Sequence, residues 1–154
     1  MIRCLPLELE FWERRAIVEG HVHANGGSVG PVARRALNAY VEDDRVRAAV
    51  RLYHAAAREA RIAAQAGERT PPTVEKMSSR FMLLGSDSEL AAWESQALRE
   101  GHETYGRGGV NTLTRLVMTA YCNDHTVLAE SAGAEIDLGA CRIFGNRPTL
   151  LRIR

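Results

Sequence analysis

The chain has 154 residues and a net charge of +1, and 45% of its residues are hydrophobic. This length suits one compact domain or two small ones that share a core, and the composition argues against a wholly disordered chain. No apolar run reaches the roughly 18–20 residues that a membrane-spanning helix needs, and the N-terminus lacks a signal-peptide pattern. The 3 cysteines are far apart in sequence. We therefore expect a cytoplasmic protein with reduced thiols and no contact with a membrane.

The charge is nearly balanced, so it gives no overall bias towards nucleic acid. All but one of the 20 basic residues are arginine, the exception being Lys76. Arginine suits bidentate contacts with phosphates and bases, but a GC-rich genome would encode the same excess. Both interpretations stay open from composition alone.

An internal repeat is the strongest feature of the sequence. Residues 8–43 align without a gap with residues 89–124 when the chain is shifted by 81 positions, and 14 of these 36 positions are identical. Both tryptophans, Trp12 and Trp93, are paired by this shift. A repeat of this size indicates one supersecondary unit used twice.

Each unit is predicted to contain a strand, a helix, a glycine-rich loop and a second helix. Apolar residues recur at helical spacing in both helices, and Gly20 and Gly101 are expected to end the first helix of each unit. Ser86 and Glu89 match a capping box at a helix start. The predicted strands are Met1–Leu5 and Phe81–Leu84, the loops are His21–Gly27 and His102–Gly109, and the second helices begin near Val29 and Val110.

The rest of the chain divides into a connector and a tail. Asp44–Ala66 is alanine-rich and predicts a further helix, the connector helix, followed by a linker over residues 68–79. We thus divide the chain into repeat 1 (1–43), connector (44–79), repeat 2 (80–124) and tail (125–154). Runs near Cys141–Phe144 and Thr149–Ile153 favour either a small hairpin or an extended partner-binding arm.

A short strand followed by two helices joined by a tight glycine turn resembles the ribbon-helix-helix family of DNA-binding proteins. The segment Leu5–Leu9 resembles the family's strand-to-helix junction, and Ser28–Tyr40 lies where its second helix begins. Family members pair two strands into an antiparallel ribbon that enters the major groove. The resemblance implies a mainly α fold with short strands, in which two units of one chain form an intramolecular pseudodimer. Two interlocked units also bury a core that one unit is too small to form.

The loop before each second helix is a candidate phosphate site, because helix N-termini offer backbone N–H groups to anions. Gly27, Ser28 and Gly109 are the candidates, although glycine in a plain turn needs no such explanation. The predicted strands supply two more candidate DNA-contacting residues, Arg3 and Arg80. If Leu5 faces the core, alternation turns Arg3 inward, and such a ribbon suits burial better than base readout.

The connector helix carries a second candidate surface. A basic stripe at helical spacing is formed by Arg47, Arg51, His54, Arg58 and Arg61, and Arg34 and Arg35 on the second helix extend it. Such a stripe either tracks a phosphate backbone with salt-dependent affinity or is simply a solvated helix face.

We expect no enzyme activity, because no nucleophile–base set, P-loop or dinucleotide fingerprint occurs. We also expect no cofactor, and we interpret His21 and His23 as loop residues, since a second pair of zinc ligands is missing at a suitable spacing. The leading hypothesis is a protein that binds double-stranded DNA as a transcriptional regulator or as an accessory in plasmid or phage DNA processing. The alternative is an adaptor, inhibitor or antitoxin-like module that docks on a protein through its strands or its tail. Whether two chains associate stays open.

Overall fold

The computed structural model describes residues 1–67, 75–102 and 108–123. This part of the chain is mainly helical, with two short antiparallel sheets. In chain order the elements are β1 (Ile2–Cys4), α1 (Pro6–Val18), β2 (Val22–His23), β3 (Gly26–Gly27), α2 (Val29–Glu42), α3 (Asp44–Gln65), β4 (Ser79–Phe81), α4 (Asp87–Arg99) and α5 (Gly108–Asn123). The connector helix is therefore α3.

Strands β1 and β4 form an antiparallel pair, which we call the ribbon. Its register places Ile2 opposite Phe81, Arg3 opposite Arg80 and Cys4 opposite Ser79. The second strand was predicted at Phe81–Leu84, but β4 begins and ends earlier in the chain. The prediction followed the apolar run, whereas the residues that pair with β1 lie on its N-terminal side.

Matching backbone motifs end the first helices of the two repeats. Beyond α1, Gly20 has a φ of 82°, and beyond α4, Gly101 has a φ of 74°. The N–H of His21 donates to the carbonyl of Ala16 at 2.8 Å, and His102 repeats this bond at 3.0 Å. These are Schellman closures, which need a left-handed residue and therefore favour glycine. Both predicted helix ends are confirmed.

The start of α4 is also as predicted. The side chain of Ser86 accepts the N–H of Glu89, and the Glu89 carboxylate accepts the N–H of Ser86 at 2.7 Å. Glu8 accepts the N–H of Leu5 in the same way at 2.8 Å before α1. The N-terminal ends of α1 and α4 are thus held by equivalent glutamates.

Helices α2 and α5 form the centre of one core, with α1, α4 and the inner face of the ribbon packed around them. Trp12 and Trp93 are almost completely buried, as are the paired Tyr40 and Tyr121. The Trp12 ring meets Phe81 edge to face, with centroids 5.9 Å apart. Burial of large aromatic side chains from both repeats makes the two units interdependent.

Helix α3 leaves the end of α2 and packs on α2 and α5 with its first half, in which Val46 and Val50 are buried. Nearly all of its second half, from residue 55 onwards, is exposed. None of the helices in residues 1–67, 75–102 and 108–123 is both long and apolar enough to cross a membrane.

Candidate nucleic-acid interface

The outward side of the ribbon carries two arginines in direct opposition. Arg3 and Arg80 are cross-strand partners, and both are exposed. Like charges at opposed positions of an antiparallel pair repel each other, so this arrangement does not serve stability. An anion bound beside the two guanidinium groups would reduce this repulsion.

Strand β1 turns Ile2 and Cys4, and not Arg3, towards the core. Ile2 and Cys4 are buried at 4% and 0% exposure, and Arg3 lies on the opposite, exposed side. An inward Leu5 would have turned Arg3 inward as well, but Leu5 is the N-cap of α1, where the chain has already left the strand. Alternation therefore has to be counted from Ile2 and Cys4.

Apolar side chains flank the two arginines. Met1 and Met82 are each 54% exposed, and Leu84 is 70% exposed. We use the name ribbon face for the exposed Arg3 and Arg80 together with three exposed residues that are close to them in sequence, Met1, Met82 and Leu84. It combines two cations with an apolar border, a mixture suited to groove contacts as well as to a protein partner.

The N-terminal ends of α2 and α5 lie against the ribbon. The side-chain oxygen of Asn111, in the first turn of α5, accepts the N–H of Arg3 at 2.6 Å. Gly30, in the first turn of α2, approaches the carbonyl of Met82 so closely that an added Cβ would lie 2.6 Å from that oxygen. Since Gly30 and Asn111 are equivalent in the repeat, the two helix starts approach the ribbon in equivalent ways.

The glycine-rich loop of repeat 1 is a small hairpin of β2 and β3, and its glycine has a packing role. A Cβ on Gly27 would lie 2.1 Å from the carbonyl oxygen of Glu13. The N–H of Ser28 donates to His21 at 2.7 Å. Close packing therefore accounts for Gly27, and Ser28 already uses its backbone donor. Gly109 is buried in the first turn of α5, and residues 103–107 of the predicted second loop lie outside the described residues.

Arg34 and Arg115 join the two repeats through crossed salt bridges. Arg34 reaches Glu89 at 2.9 Å, and Arg115 reaches Glu8 with two nitrogens at 3.0 and 2.8 Å. All four residues are among the identities of the repeat. The hydrogen bond from Arg34, with those from Ser86 and Asn38, lowers the pKa of Glu89 to about 2.

Two tyrosines also cross between the repeats. Tyr40 donates to Glu100 at 2.7 Å, and its counterpart Tyr121 donates to Glu19. Arg35 contacts both Glu19, at 2.5 Å, and the Tyr121 hydroxyl, at 2.7 Å. Burial, which the nearby arginines only partly offset, raises the pKa of Tyr121 to about 12. Arg34 and Arg35, predicted as part of a phosphate surface, thus make internal ion pairs.

The predicted basic stripe of α3 divides into two groups. Arg47 donates to the carbonyls of Tyr40 and Val41 at 2.7 and 2.5 Å, so it closes the end of α2. His54 donates to the carbonyl of Leu116 at 2.8 Å and so fixes α3 on α5. Both side chains therefore have structural roles.

The exposed group of that stripe consists of Arg51, Arg58 and Arg61. Arg51 lies 3.5 Å from Glu100 at the end of α4. Helix α3 begins at the C-terminal end of α2, while the N-terminal end of α2 touches the ribbon. At about 1.5 Å per residue, the start of α3 is separated from the first turn of α2 by roughly 20 Å along α2.

Other predicted features give no site in the described residues. No group of three or more His, Cys, Asp or Glu residues in those ranges is placed to hold a metal ion. Burial raises the pKa of Cys4 to about 11 and that of Cys122 to about 12, so both thiols stay protonated at neutral pH. The predicted hairpin or arm in the tail, residues 125–154, lies outside the described residues, as does most of the linker, residues 68–74.

The chain was compared with known proteins at three levels. No protein-family model, no curated protein and no solved structure matches it.

Proposed function

We propose that the chain is a non-enzymatic DNA-binding protein whose two repeats form an intramolecular ribbon-helix-helix pseudodimer, and that the ribbon face contacts double-stranded DNA. The single observation that carries this proposal is the opposition of Arg3 and Arg80 on the exposed side of a two-stranded antiparallel ribbon. Arginine side chains at such positions suit bidentate hydrogen bonds to guanine and salt bridges to phosphate.

The crossed contacts between the repeats support the pseudodimer. A two-fold related interface is self-complementary, so a contact from residue i to residue j is accompanied by one from j to i. Arg34 to Glu89 and Arg115 to Glu8 follow this rule through the 81-residue shift. The ribbon register is compatible with this rule, since extending it by one residue would place Met1 opposite Met82, its equivalent in the repeat.

The position of the N-terminal ends of α2 and α5, beside the ribbon, supports a contact with DNA phosphates. N-terminal N–H groups and the helix dipole favour anions, and a duplex entered by a ribbon presents its phosphates at the ribbon's two ends. The first turns of α2 and α5 are beside the ribbon, where Gly30 approaches Met82 and Asn111 accepts the N–H of Arg3. Gly109 is buried in the same turn of α5, so we do not count it among the proposed contacts.

The exposed arginines of α3 are a secondary candidate. They belong to a different element from the ribbon face, so we treat them as a separate contact region. Arg51, Arg58 and Arg61 would then serve a second duplex, a distant part of a bent one, or solvation alone. A regulator and an accessory factor of plasmid or phage DNA processing both fit this surface.

The experiment is a gel-shift titration of the full chain against random duplex DNA at low salt, repeated at rising salt. We expect binding that weakens steeply, because each phosphate contact contributes a slope of about −0.9 in log K against log salt. Absence of binding at micromolar protein at low salt would overturn the proposal.

The alternative is a protein-interaction module that docks through the same face. The exposed Met1, Met82 and Leu84 favour it, since large apolar side chains on an otherwise polar surface are typical of interface cores. Failure to bind DNA, together with loss of a protein complex on changing Leu84→Ser, would favour this alternative.

A further inference from the structure

A groove of about 390 Å³ lies between the outer side of α1 and the last turn of α5. Leu7 and Phe11 border it and are 68% and 40% exposed, while the buried Trp12 lies at its floor. Two large apolar side chains one helical turn apart are thus left in contact with water. A segment that covered them would gain the free energy of burying that surface.

Repeat 2 does not preserve this surface. The positions of Leu7 and Phe11 are Ser88 and Ala92 on α4. Near them, Asn38 donates to Glu89 at 2.6 Å and accepts the indole N–H of Trp93 at 2.9 Å. The Asn38 side chain therefore bridges the Glu89 carboxylate and the indole N–H of Trp93.

The position of Asn38 in repeat 2 is Thr119, which lines the groove. Threonine is shorter and has no amide with which to make the same bridge. The two repeats have therefore diverged at three linked positions, with larger apolar residues on α1 and a smaller side chain on α5. Together, these three differences form the groove over Trp12.

We propose that the C-terminal segment of the same chain, residues 125–154, occupies this groove, with Cys141, Ile143 and Phe144 placed over Trp12. Helix α5 ends at Asn123, which itself lines the groove, so the segment starts at the groove's edge. The 18 residues from Asn123 to Cys141 span at most about 60 Å when extended, ample to return to the groove. The apolar side chains of Cys141, Ile143 and Phe144 then gain a partner within their own chain.

Charge supports this occupant. Two glutamates, Glu8 and Glu10, line the groove together with Arg14, and each glutamate already contacts one arginine of the folded chain. The last thirteen residues of the chain contain no acidic residue and four basic ones, which are Arg142, Arg147, Arg152 and Arg154. These arginines would extend the existing ion pairs, and their charge disfavours burial of the segment in an uncharged pocket.

The test is chemical crosslinking in the full chain with a short bismaleimide. Glu10→Cys places a thiol at the groove's rim, and native Cys141 supplies the second. Cys4 and Cys122 react slowly, because burial raises the pKa of both thiols. The matched control is Ala91→Cys, the equivalent exposed position on α4. We expect the intramolecular 10–141 crosslink to form about tenfold faster than the 91–141 crosslink, since docking raises the local concentration.

A second pair of variants tests the apolar contact. Phe11→Ser in the Glu10→Cys background should reduce the rate to that of the control. Leu98→Ser, at an exposed leucine on α4, should leave it unchanged. Equal rates at positions 10 and 91 would overturn the proposal. So would crosslinks between chains only, which would identify a second copy as the occupant.

Discussion

Arg34 and Glu89 form a salt bridge at 2.9 Å between the two repeats, and it has a counterpart of opposite direction in Arg115 and Glu8. Each glutamate also accepts a backbone N–H ahead of its helix, so the same carboxylates close the helix starts and join the repeats. The orientation of one repeat on the other is thereby linked to the ends of α1 and α4.

The Arg115–Glu8 pair should contribute measurably to stability. Its side chains are 29% and 20% exposed, and the contact is bidentate. A double-mutant cycle of Arg115→Ala and Glu8→Ala, followed by urea unfolding, should give a coupling free energy of about 1 kcal/mol. The cycle removes the separate effect of Glu8 on the Leu5 N–H. A coupling indistinguishable from zero would show that the pair is not a joining contact.

Stability should fall in acid partly because of Glu89. Its folded-state pKa of about 2 is below the roughly 4.3 of an unfolded glutamate. The ionised Glu89 carboxylate thus stabilises the folded state at pH values above the unfolded-state pKa, and this stabilisation is lost as the pH falls towards 2. Glu89→Gln should be less stable than the parent at neutral pH and should lose less stability on acidification. Glu94→Gln, exposed on the same helix, should behave as the parent does, and equal acid sensitivity in all three chains would contradict this assignment.

Tyr121→Phe should destabilise the chain more than Tyr40→Phe does. The Tyr121 hydroxyl contacts Arg15 at 3.0 Å and Arg35 at 2.7 Å, as well as Glu19. Its loss leaves partly buried charges with fewer partners, at a cost of about 1–3 kcal/mol. The Tyr40 hydroxyl donates to Glu100 and has only one arginine, Arg51, as a further charged neighbour among the described residues, so we expect about 1 kcal/mol there. Thermal unfolding of both variants measures the difference, and the reverse order would contradict the network.

Gly27→Ala should be strongly destabilising. The added Cβ would lie 2.1 Å from the backbone oxygen of Glu13, so α1 and the hairpin have to separate. We expect a loss of at least about 2 kcal/mol. Gly67→Ala is the control, because nothing lies within 4 Å of the added carbon. Similar unfolding midpoints for the two variants would show that the packing at Gly27 is not required.

Helix ends were the most predictable part of the fold. Gly20, Gly101 and Ser86 have short-range chemical roles, so a few neighbouring residues determine them. The ribbon was less predictable, because one inward residue fixes the facing of the whole strand and the sequence does not show which residue that is. Its correct facing depends on Cys4 and Ile2 packing against a core assembled from distant residues.

The site was predictable only in part. Arg3 and Arg80 were candidates from the sequence, but their opposition depends on the register of two strands about 80 positions apart. Arg47 had the spacing of an exposed stripe, yet it closes α2, because helix periodicity does not show where the preceding helix ends. The crossed pairs had a usable signal, since both members of each pair are identities of the repeat. The groove also had a signal in the sequence, because the position of Asn38 in repeat 1 is Thr119 in repeat 2.

The central claim is that DNA binds to the ribbon face. It is tested most directly by fluorescence anisotropy with labelled duplex DNA across a salt series, comparing the parent with Arg3→Ala/Arg80→Ala. Controls of equal charge are Arg58→Ala/Arg61→Ala on α3 and Arg14→Ala/Arg99→Ala on the outer helices. We predict that the ribbon variant alone loses at least about tenfold in affinity and reduces the salt slope by about 2, as expected for two lost contacts. Unchanged affinity of the ribbon variant, with loss in the α3 variant, would contradict the account.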